Sequence, residues 1–282
     1  MSSMDREEFR RGSLETWQAM APGWERRRAD VEAITAPVRD WLVRELAPQP
    51  GETILELAAG PGDMGFAVAS QLGDDGLLIT SDFSPAMLDV ARRRAAELGL
   101  RNVDLRLLDA LELDLEDDSV DGVICRFGFM LMADPATALS ETHRVLRSDG
   151  WLVLAVWRGP EQNPWVSIAG RILVERGLMP PPEPGAPGMF TLGKEEHLGS
   201  LLDEAGFTDT RFDDVPVRFV YEDVEDFVAT SREMGGAFGA AFGSAAPADQ
   251  AAIVEELRAS FVPFTTANGL ELPGVALVAL AR

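Results

Sequence analysis

The sequence from residue 54 to 65 combines an apolar strand, an acidic residue and a glycine-rich turn. Glu56 ends the apolar run, and Gly60 and Gly62 follow it before a helical pattern begins. Glycine permits positive φ angles and close approach of a ligand, and the first amides of the next helix are free to donate hydrogen bonds. The segment therefore predicts a site for a nucleotide-like cofactor. Its glycine spacing, with Asp82 about twenty residues later, also satisfies the dinucleotide-binding fingerprint.

Three further apolar segments follow the turn, and each delivers a charged residue at its end. These segments and residues are 77–81 with Asp82, 103–108 with Asp109, and 119–125 with Arg126. Helical patterns lie between the strands and again before the strand at 151–157. Strands that alternate with helices predict a mostly parallel sheet, whose ligand binds beyond the carboxyl ends of the strands.

This ordered set of motifs resembles the class I S-adenosylmethionine-dependent methyltransferases, in particular the small-molecule branch similar to the ubiquinone and menaquinone biosynthesis C-methyltransferases. The resemblance extends over residues 50 to 158 and includes Asp109-Ala110 and the segment 144–150, which a nicotinamide enzyme does not need. It implies an α/β fold: a Rossmann-like, mostly parallel seven-stranded sheet with helices on both faces and a helical cap. The implied cofactor is S-adenosyl-L-methionine, with S-adenosyl-L-homocysteine as its product.

In the resemblance, the glycine turn and the acid after the second strand hold the polar parts of the cofactor. Glu56 binds the methionine ammonium, directly or through water, together with the backbone of Ala58 and Gly60. Gly62 belongs to the same turn, and Asp82 accepts both ribose hydroxyls. From the residues alone, the two glycines are also compatible with a simple tight turn, and Asp82 with a helix cap.

The remaining implied contacts surround the adenine and the methyl end of the cofactor. Phe83 and Met87 flank the adenine, Asp109 accepts from its exocyclic amine, and the Ala110 amide donates to a ring nitrogen. Arg126 lines the methionine end, mainly through its backbone carbonyl. Asp109 is equally typical of the start of a loop, and an arginine at a strand end is often simply solvated.

Bulky apolar residues near the predicted site suggest an apolar, adaptable pocket for the acceptor. The candidate substrate-binding residues are Trp17, Met20, Trp24, Phe127, Met130 and Trp165. Ordinary core packing is the alternative and accounts for most aromatic and methionine side chains. We therefore expect a minority of these residues to touch substrate.

No catalytic residue is evident in the implied cofactor shell, which contains no histidine or lysine. Methyl transfer from a sulfonium is an in-line displacement, and positioning alone lowers such a barrier by about 7–11 kcal/mol. His197 is the candidate general base, since its helix follows a proline-rich segment at 180–188 that is compatible with a lid or a connector. His143 is expected in a structural role. We expect no metal site.

Composition restricts the classes of partner. The 282 residues carry 25 basic and 47 acidic side chains, for a formal net charge of −22, and such a field repels nucleic acids and anionic membranes. We expect a small-molecule substrate, no nucleic-acid or membrane partner, and a cytoplasmic location; the sequence carries no signal for the oligomeric state. The single cysteine, Cys125, is expected in the core.

The chain is expected to form a single methyltransferase domain over 1–282. Its predicted cofactor-binding core is 36–157, and the predicted cap and substrate-binding insertions are 1–35, 158–193 and 222–268. In the first of these, the pattern predicts an amphipathic helix at 15–28, separate from one at 36–46. Two alternative functions stay open: binding of S-adenosylmethionine or S-adenosylhomocysteine without methyl transfer, and an NAD(P)-dependent oxidoreductase.

Overall fold

The computed structural model describes residues 3–183 and 185–282. Met1, Ser2 and Pro184, which belong to the predicted cap, lie outside the described residues. The helices and strands in chain order are α1 (Ser3–Leu46), β1 (Thr53–Glu56), α2 (Asp63–Leu72), β2 (Leu77–Asp82), α3 (Pro85–Glu97), β3 (Val103–Leu107), β4 (Val120–Arg126), α4 (Pro135–Val145), β5 (Leu146–Trp157), α5 (Pro164–Glu175), α6 (Glu195–Ala205), β6 (Arg211–Tyr221), α7 (Val224–Met234), α8 (Gly236–Ser244), α9 (Pro247–Phe261), β7 (Thr265–Thr266) and β8 (Gly269–Ala281).

The strands form a single sheet in the order β3-β2-β1-β4-β5-β8-β6, with β7 paired to β8. The five strands from β3 to β5 in this order are parallel, and β8 lies antiparallel between β5 and β6. The predicted Rossmann-like, mostly parallel α/β fold is confirmed. The eighth strand is the two-residue β7, which forms a short hairpin with the start of β8 and is too short to stand out in the sequence.

The chain changes direction across the sheet at β1. From β1 it passes through α2 and α3 toward β3, whereas β4 and β5 lie on the other side of β1 and are joined by α4. Right-handed crossovers that proceed in opposite directions place α2 and α3 on one face of the sheet and α4 on the other. The carboxyl ends of β1 and β4 therefore flank a crevice where a ligand is expected.

The N-terminal segment differs from the prediction. The two helices expected at 15–28 and 36–46 are one helix, α1, of 44 residues, which continues through Pro22 and Pro37. Both prolines are exposed, as are Gln18 and Ala33, whose carbonyls lose their intrahelical hydrogen bond and remain near water. The prediction of a break was wrong because α1 packs on α3, α7 and the sheet strands along its length, and this packing outweighs two lost bonds.

The strand after α4 also begins earlier than expected. The sequence predicts a helix that continues into 144–150, but α4 ends at Val145 and β5 begins at Leu146. Leu146 pairs with Val120, and the register then shifts before Trp151 pairs with Gly122. The first residues of β5 thus form a bulged extension, which no periodic pattern reveals.

A continuous apolar core fills the space between the sheet and its helices. Cys125 is fully buried within it, as predicted, and burial raises the pKa of its thiol to about 12. Within residues 3–183 and 185–282, no helix combines the length and the apolar character that crossing a bilayer requires.

Candidate cofactor site

The glycine turn between β1 and α2 is built from three residues in the left-handed region. The φ angles are 52° at Ala58, 55° at Gly60 and 85° at Gly62. For Ala58 this conformation costs about 1–2 kcal/mol, which the surrounding structure must offset. A Cβ on Gly62 would lie 2.5 Å from the Phe66 ring, so this position requires glycine for space as well as for conformation. The turn is thus held in a strained shape next to the ends of β1 and β4.

Glu56, the last residue of β1, has only one of its two carboxyl oxygens satisfied. Its side chain is buried, and Oε1 accepts a 2.8 Å hydrogen bond from the Gly65 amide. Among the described residues, Oε2 has no hydrogen-bond partner. A Cβ on Gly65 would lie 2.2 Å from Oε2, so the third glycine of the motif makes room for this carboxyl group. Burial raises the pKa of Glu56 to about 8, against the lowering effects of the Gly65 amide, Arg126 and the nearby Thr80 hydroxyl, whose contact with the carboxyl group is too poorly aligned to count as a hydrogen bond.

The Asp82 carboxyl group accepts hydrogen bonds from two backbone amides, one in the glycine turn and one just after β2. Its Oδ2 accepts from the Gly60 amide at 2.9 Å, and its Oδ1 accepts from the Ser84 amide at 2.8 Å. Burial raises the pKa of this carboxyl group to about 6, although the backbone amides favour its ionised form. The Phe83 amide also acts on this group, and since a carboxylate has about four acceptor positions, Asp82 retains some acceptor capacity. The Ser84 side chain, and not Asp82, caps α3 by accepting from the Met87 amide. Asp82 therefore connects the end of β2 to the glycine turn.

Of the residues predicted to surround an adenine, Met87 lies where α1 packs on α3. Met87 is buried in a small apolar cluster with Ala21 and Val90, and the predicted substrate residues Trp17, Met20 and Trp24 pack around the same cluster. Phe83 is partly exposed and Ala110 is buried. The Asp109 carboxyl group accepts from the Leu111 amide and forms an ion pair with Arg10 of α1.

The Arg126 side chain connects the end of β4 to α1. Its guanidinium donates to Glu32 at 2.5 Å and to the Thr35 hydroxyl at 2.8 Å, both on α1. The contact expected through the Arg126 backbone carbonyl stays a prediction. Glu32 and Thr35 were missed, although charged residues within the apolar stripe of α1 were a signal that could have identified them.

Asp63, the first residue of α2, was also missed. Its Oδ1 accepts from Arg28 of α1 and from Arg94 of α3, each at 3.0 Å, and its side chain is only 9% exposed. Its Oδ2 is buried without a hydrogen-bond partner in the described part of the chain. One carboxylate thus joins three helices beside the glycine turn.

The aromatic residues after β4 and β5 form a row. Phe127, with a positive φ of 64°, stacks on Trp157 at a ring-centroid distance of 4.1 Å. Trp157 contacts Trp165 at 5.2 Å, and Trp165 stacks on Phe219 of β6 at 4.1 Å. Phe127 and Trp165, both predicted substrate residues, are partly exposed, whereas the predicted residue Met130 is buried at 2% exposure. The six predicted substrate residues thus belong to two groups, one against α3 and one beyond β4 and β5.

The two histidines lie outside this arrangement. The His143 ring packs on Phe207 and lines a cavity of about 420 Å³ beside the starts of β4 and β5, at the edge opposite to the glycine turn. His197 is exposed in the first turn of α6, a helix that packs on α4. In the described part of the chain, no group of three or more His, Cys, Asp or Glu side chains is arranged to bind a metal ion.

Comparison with known proteins agrees with this geometry. Residues 48–169 match a family model described as a methyltransferase domain. The chain therefore contains a methyltransferase domain. The match covers the glycine turn, Asp82, Asp109 and Arg126, and it ends within α5. The resemblance to class I methyltransferases that the sequence indicated is confirmed.

Two curated relatives align with parts of this domain. A demethylmenaquinone methyltransferase of Deinococcus radiodurans is 44% identical over 82 residues, which are 28% of this chain and 33% of that protein. A phosphatidylethanolamine N-methyltransferase of Cereibacter sphaeroides is 35% identical over 88 residues, or 31% of this chain and 43% of that protein. The chain thus spans less than half of the length of either relative.

The fold itself is shared with solved structures. A SAM-dependent methyltransferase from Aquifex aeolicus superposes with a TM-score of 0.53 at 20% identity, covering 69% of this chain and 92% of that protein. At this identity the likeness concerns the fold alone.

Proposed function

We propose that this protein binds S-adenosylmethionine and transfers its methyl group to a small, rather apolar acceptor. The observation that carries the proposal is the concentration of unsatisfied buried polar atoms around the glycine turn. Of six such side-chain atoms among the described residues, three belong to the turn or to the strands beside it, namely Glu56 Oε2, Asp63 Oδ2 and Thr80 Oγ1, and a fourth, Trp24 Nε1, lies on α1 where it packs on α3. Buried polar groups are normally hydrogen-bonded, so a cluster without partners indicates a bound polar ligand.

The chemistry of these groups fits S-adenosylmethionine. The free Oε2 of Glu56 is an acceptor for the methionine ammonium, with the backbone of Ala58 and Gly60 nearby, and Asp82 has acceptor capacity left for ribose hydroxyls. Met87 offers a buried apolar surface for the adenine. The bound cofactor would supply an electrophilic methyl group on a positively charged sulfur.

The protein's own contribution is then positioning and exclusion of water. Glu56 becomes ionised beside the ammonium and holds it, because a neighbouring cation lowers the pKa that burial has raised. Asp82 fixes the ribose to the strained turn, and α1 covers the crevice through the contacts of Arg28 with Asp63 and of Arg126 with Glu32. Methyl transfer by positioning alone requires no dedicated base.

The aromatic row supports an apolar acceptor. Phe127 and Trp165 are partly exposed beyond the ends of β4 and β5, on the side where an acceptor approaches the methyl group. Whether the acceptor atom is oxygen, nitrogen or carbon depends on its own nucleophilicity, and the relatives named above include both a quinone and a lipid amine in their names. The related methyltransferases support this function over a nicotinamide oxidoreductase.

Calorimetry and thermal unfolding with S-adenosylhomocysteine and with NAD test the cofactor. We expect S-adenosylhomocysteine to bind and to raise the melting temperature, and NAD to do neither. Binding of NAD without binding of S-adenosylhomocysteine would contradict the proposal. Transfer of a radiolabelled methyl group to a panel of phenols, amines and acidic carbon compounds then tests methylation. Cofactor binding with no transfer to any class would favour the alternative of a protein that binds the cofactor without methylating.

A further inference from the structure

Helix α1 has a glycine in its interior at the point where α7 ends. Gly23 is buried, and a Cβ at this position would lie 1.9 Å from the carbonyl oxygen of Glu233. Glycine inside a helix costs about 1 kcal/mol relative to alanine, so its presence here needs a reason. The reason is close approach, because the backbone of α1 contacts the last turn of α7 and leaves no space for a side chain between them.

The Glu233 side chain holds the same two helices together. Its Oε1 accepts from Arg26 Nε at 2.5 Å, and its Oε2 accepts from Arg27 Nε at 2.6 Å. Both carboxyl oxygens thus bind α1, whose Gly23 contacts the carbonyl group of the same residue. We call Gly23, Arg26, Arg27 and Glu233 the α1–α7 joint. Through it the end of α7 is fixed to α1.

Met20 connects the joint to the candidate cofactor site. Its side chain packs at the apolar cluster that contains Met87 of α3. Its Cγ also lies 3.1 Å from the position that a Cβ would take on Gly235, and its Cε lies 3.4 Å from the same position on Gly236. One side chain therefore contacts both the cluster at α3 and the junction of α7 and α8.

The junction of α7 and α8 has the features of a hinge. Gly235 and Gly236 are consecutive glycines with φ angles of 79° and 72°, a region that strains residues with a Cβ. α8 contains three glycines among its nine residues, and residues 234–248 include no charged side chain. Because its intrinsic helix propensity is poor, α8 depends on its neighbours for stability.

Those neighbours lie on both sides of the candidate site. α8 contacts α1 and α7, and it also contacts α5, which carries Trp165 of the aromatic row. Phe238 of α8 is partly exposed and packs on Phe227 and Phe242. α8 thus extends from the helix that covers the glycine turn to the helix of the aromatic row. The space beside that row, where the acceptor is proposed to bind, is called the acceptor space below.

We propose that α8 is a mobile wall of the acceptor space, and that the α1–α7 joint orders this wall when bound cofactor fixes α1. The inference rests on the proposed function, because it requires a cofactor beneath α1. A ligand that orders α1 reduces the entropy that α7 and α8 still lose on ordering, since Met20 and Glu233 already connect them to α1. The cofactor thus prepares the acceptor space before the acceptor binds.

Hydrogen exchange measured by mass spectrometry tests this coupling, with S-adenosylhomocysteine as the ligand. In wild type we expect the saturating ligand to slow exchange at residues 237–244 by about tenfold or more. Gly23→Ala places a Cβ against the Glu233 carbonyl and should separate α7 from α1. In this variant the ligand should still slow exchange in α1, but residues 237–244 should slow by less than about twofold. Reciprocity limits the accompanying loss of ligand affinity to about the same tenfold factor.

Glu225→Gln is the matched control, because it breaks an ion pair between α7 and Arg258 of α9 and leaves the joint intact. The slowing of residues 237–244 by the ligand should be the same as in wild type. Glu233→Gln keeps the shape of the joint and removes its negative charge, so it should reduce the slowing to a value between those of wild type and Gly23→Ala.

Equal slowing of residues 237–244 in wild type, Gly23→Ala and Glu233→Gln would overturn the inference, as would the absence of slowing in a wild type that binds the ligand. An affinity loss beyond about a hundredfold in folded Gly23→Ala would also overturn it, because the joint would then belong to the cofactor site itself. If Gly23→Ala does not fold, slowing in Glu233→Gln equal to that in wild type would overturn it. Failure of the wild type to bind S-adenosylhomocysteine would instead contradict the proposed function.

Discussion

The glycine turn and the bend after β5 each contain a buried polar side chain, but the two side chains differ in how many of their hydrogen bonds are made. Asn163, fully buried at the bend, has its amide nitrogen within 3.0–3.2 Å of the carbonyls of Arg158, Gly159 and Val275. Its Oδ1 accepts from the Val275 amide and the Trp165 indole, both at 3.1 Å. Glu56, equally buried, accepts one hydrogen bond and has a raised pKa.

This difference distinguishes a buried polar residue that stabilises the fold from one that is expected to bind a ligand. A buried polar group whose hydrogen bonds are all made fixes the backbone around it, and Asn163 does so for β8 and for the Trp165 ring. A buried polar group that lacks hydrogen-bond partners lowers stability. Such a group is retained where a bound ligand supplies the missing partner. The two regions therefore require different experiments: stability should report on Asn163, and ligand affinity on Asp82 and Glu56.

Asn163→Ala should have the largest effect. It leaves the Trp165 indole, the Val275 amide and up to three carbonyls without a buried partner, so the free energy of unfolding should fall by about 3–4 kcal/mol. Urea denaturation measures this loss. Asn102→Ala is the control, because its side chain donates to the carbonyls of Ala69 and Gly73 at a less buried place, and should cost about 1 kcal/mol. A loss below about 1 kcal/mol for Asn163→Ala would contradict the structural role.

Asp82→Ala should mainly affect the ligand. Removal of its charge-assisted hydrogen bonds should weaken S-adenosylhomocysteine by about 1.5–3 kcal/mol in calorimetry. The Gly60 and Ser84 amides also lose their acceptor, so stability should fall by a further amount in the absence of ligand. Unchanged affinity in a folded variant would show that Asp82 holds the turn and does not touch the ribose.

Glu56→Gln should change how stability depends on pH. In the unfolded chain the glutamate has its ordinary pKa of 4.5, whereas in the folded protein its pKa is about 8. Between these values the folded state binds more protons than the unfolded state, so the free energy of unfolding of the wild type falls as pH rises through this window. The glutamine side chain does not ionise in this pH range, so it makes no such contribution to the pH dependence. Between about pH 5 and pH 8 the variant should therefore gain at least about 2 kcal/mol relative to wild type in urea denaturation.

The contribution of Asp82, whose pKa is raised to about 6, has the same sign but is present in both proteins and cancels in this comparison. A difference between wild type and Glu56→Gln that stays constant across the range would show that Glu56 already has a partner. Saturating S-adenosylhomocysteine should reduce the pH dependence of the wild type, because the ammonium favours ionised Glu56.

The histidines should have the smallest effect. His143 packs against Phe207 at the opposite edge of the sheet, and His197 is exposed on α6. Once an acceptor is found, His143→Gln and His197→Gln should each leave the turnover number within about tenfold of wild type, since a true general base contributes about 10²- to 10⁴-fold. A loss beyond about a hundredfold, with folding and cofactor affinity unchanged, would identify that histidine as a base and end the positioning-only mechanism.

Much of the site could be predicted from the sequence because it consists of strand ends. Glu56, Asp82 and Arg126 each close an apolar run, and parallel strands bring their carboxyl ends to one edge. The partners supplied by α1 could not be predicted in the same way. Arg10, Arg28 and Glu32 are separated from the residues they bind by 99, 35 and 94 positions, and their pairing depends on where a long helix crosses the sheet.

The sequence by itself determined the fold class, the glycine turn and the order of the polar residues that follow the strands. These features depend on local periodicity and on the few conformations that glycine permits. The tertiary structure alone decided that α1 passes unbroken through two prolines, that Asp63 joins three helices, and that Glu56 and Asn163 differ in their hydrogen bonds. Burial, unsatisfied partners and raised pKa values arise only when distant segments exclude water together, which no single stretch of sequence encodes.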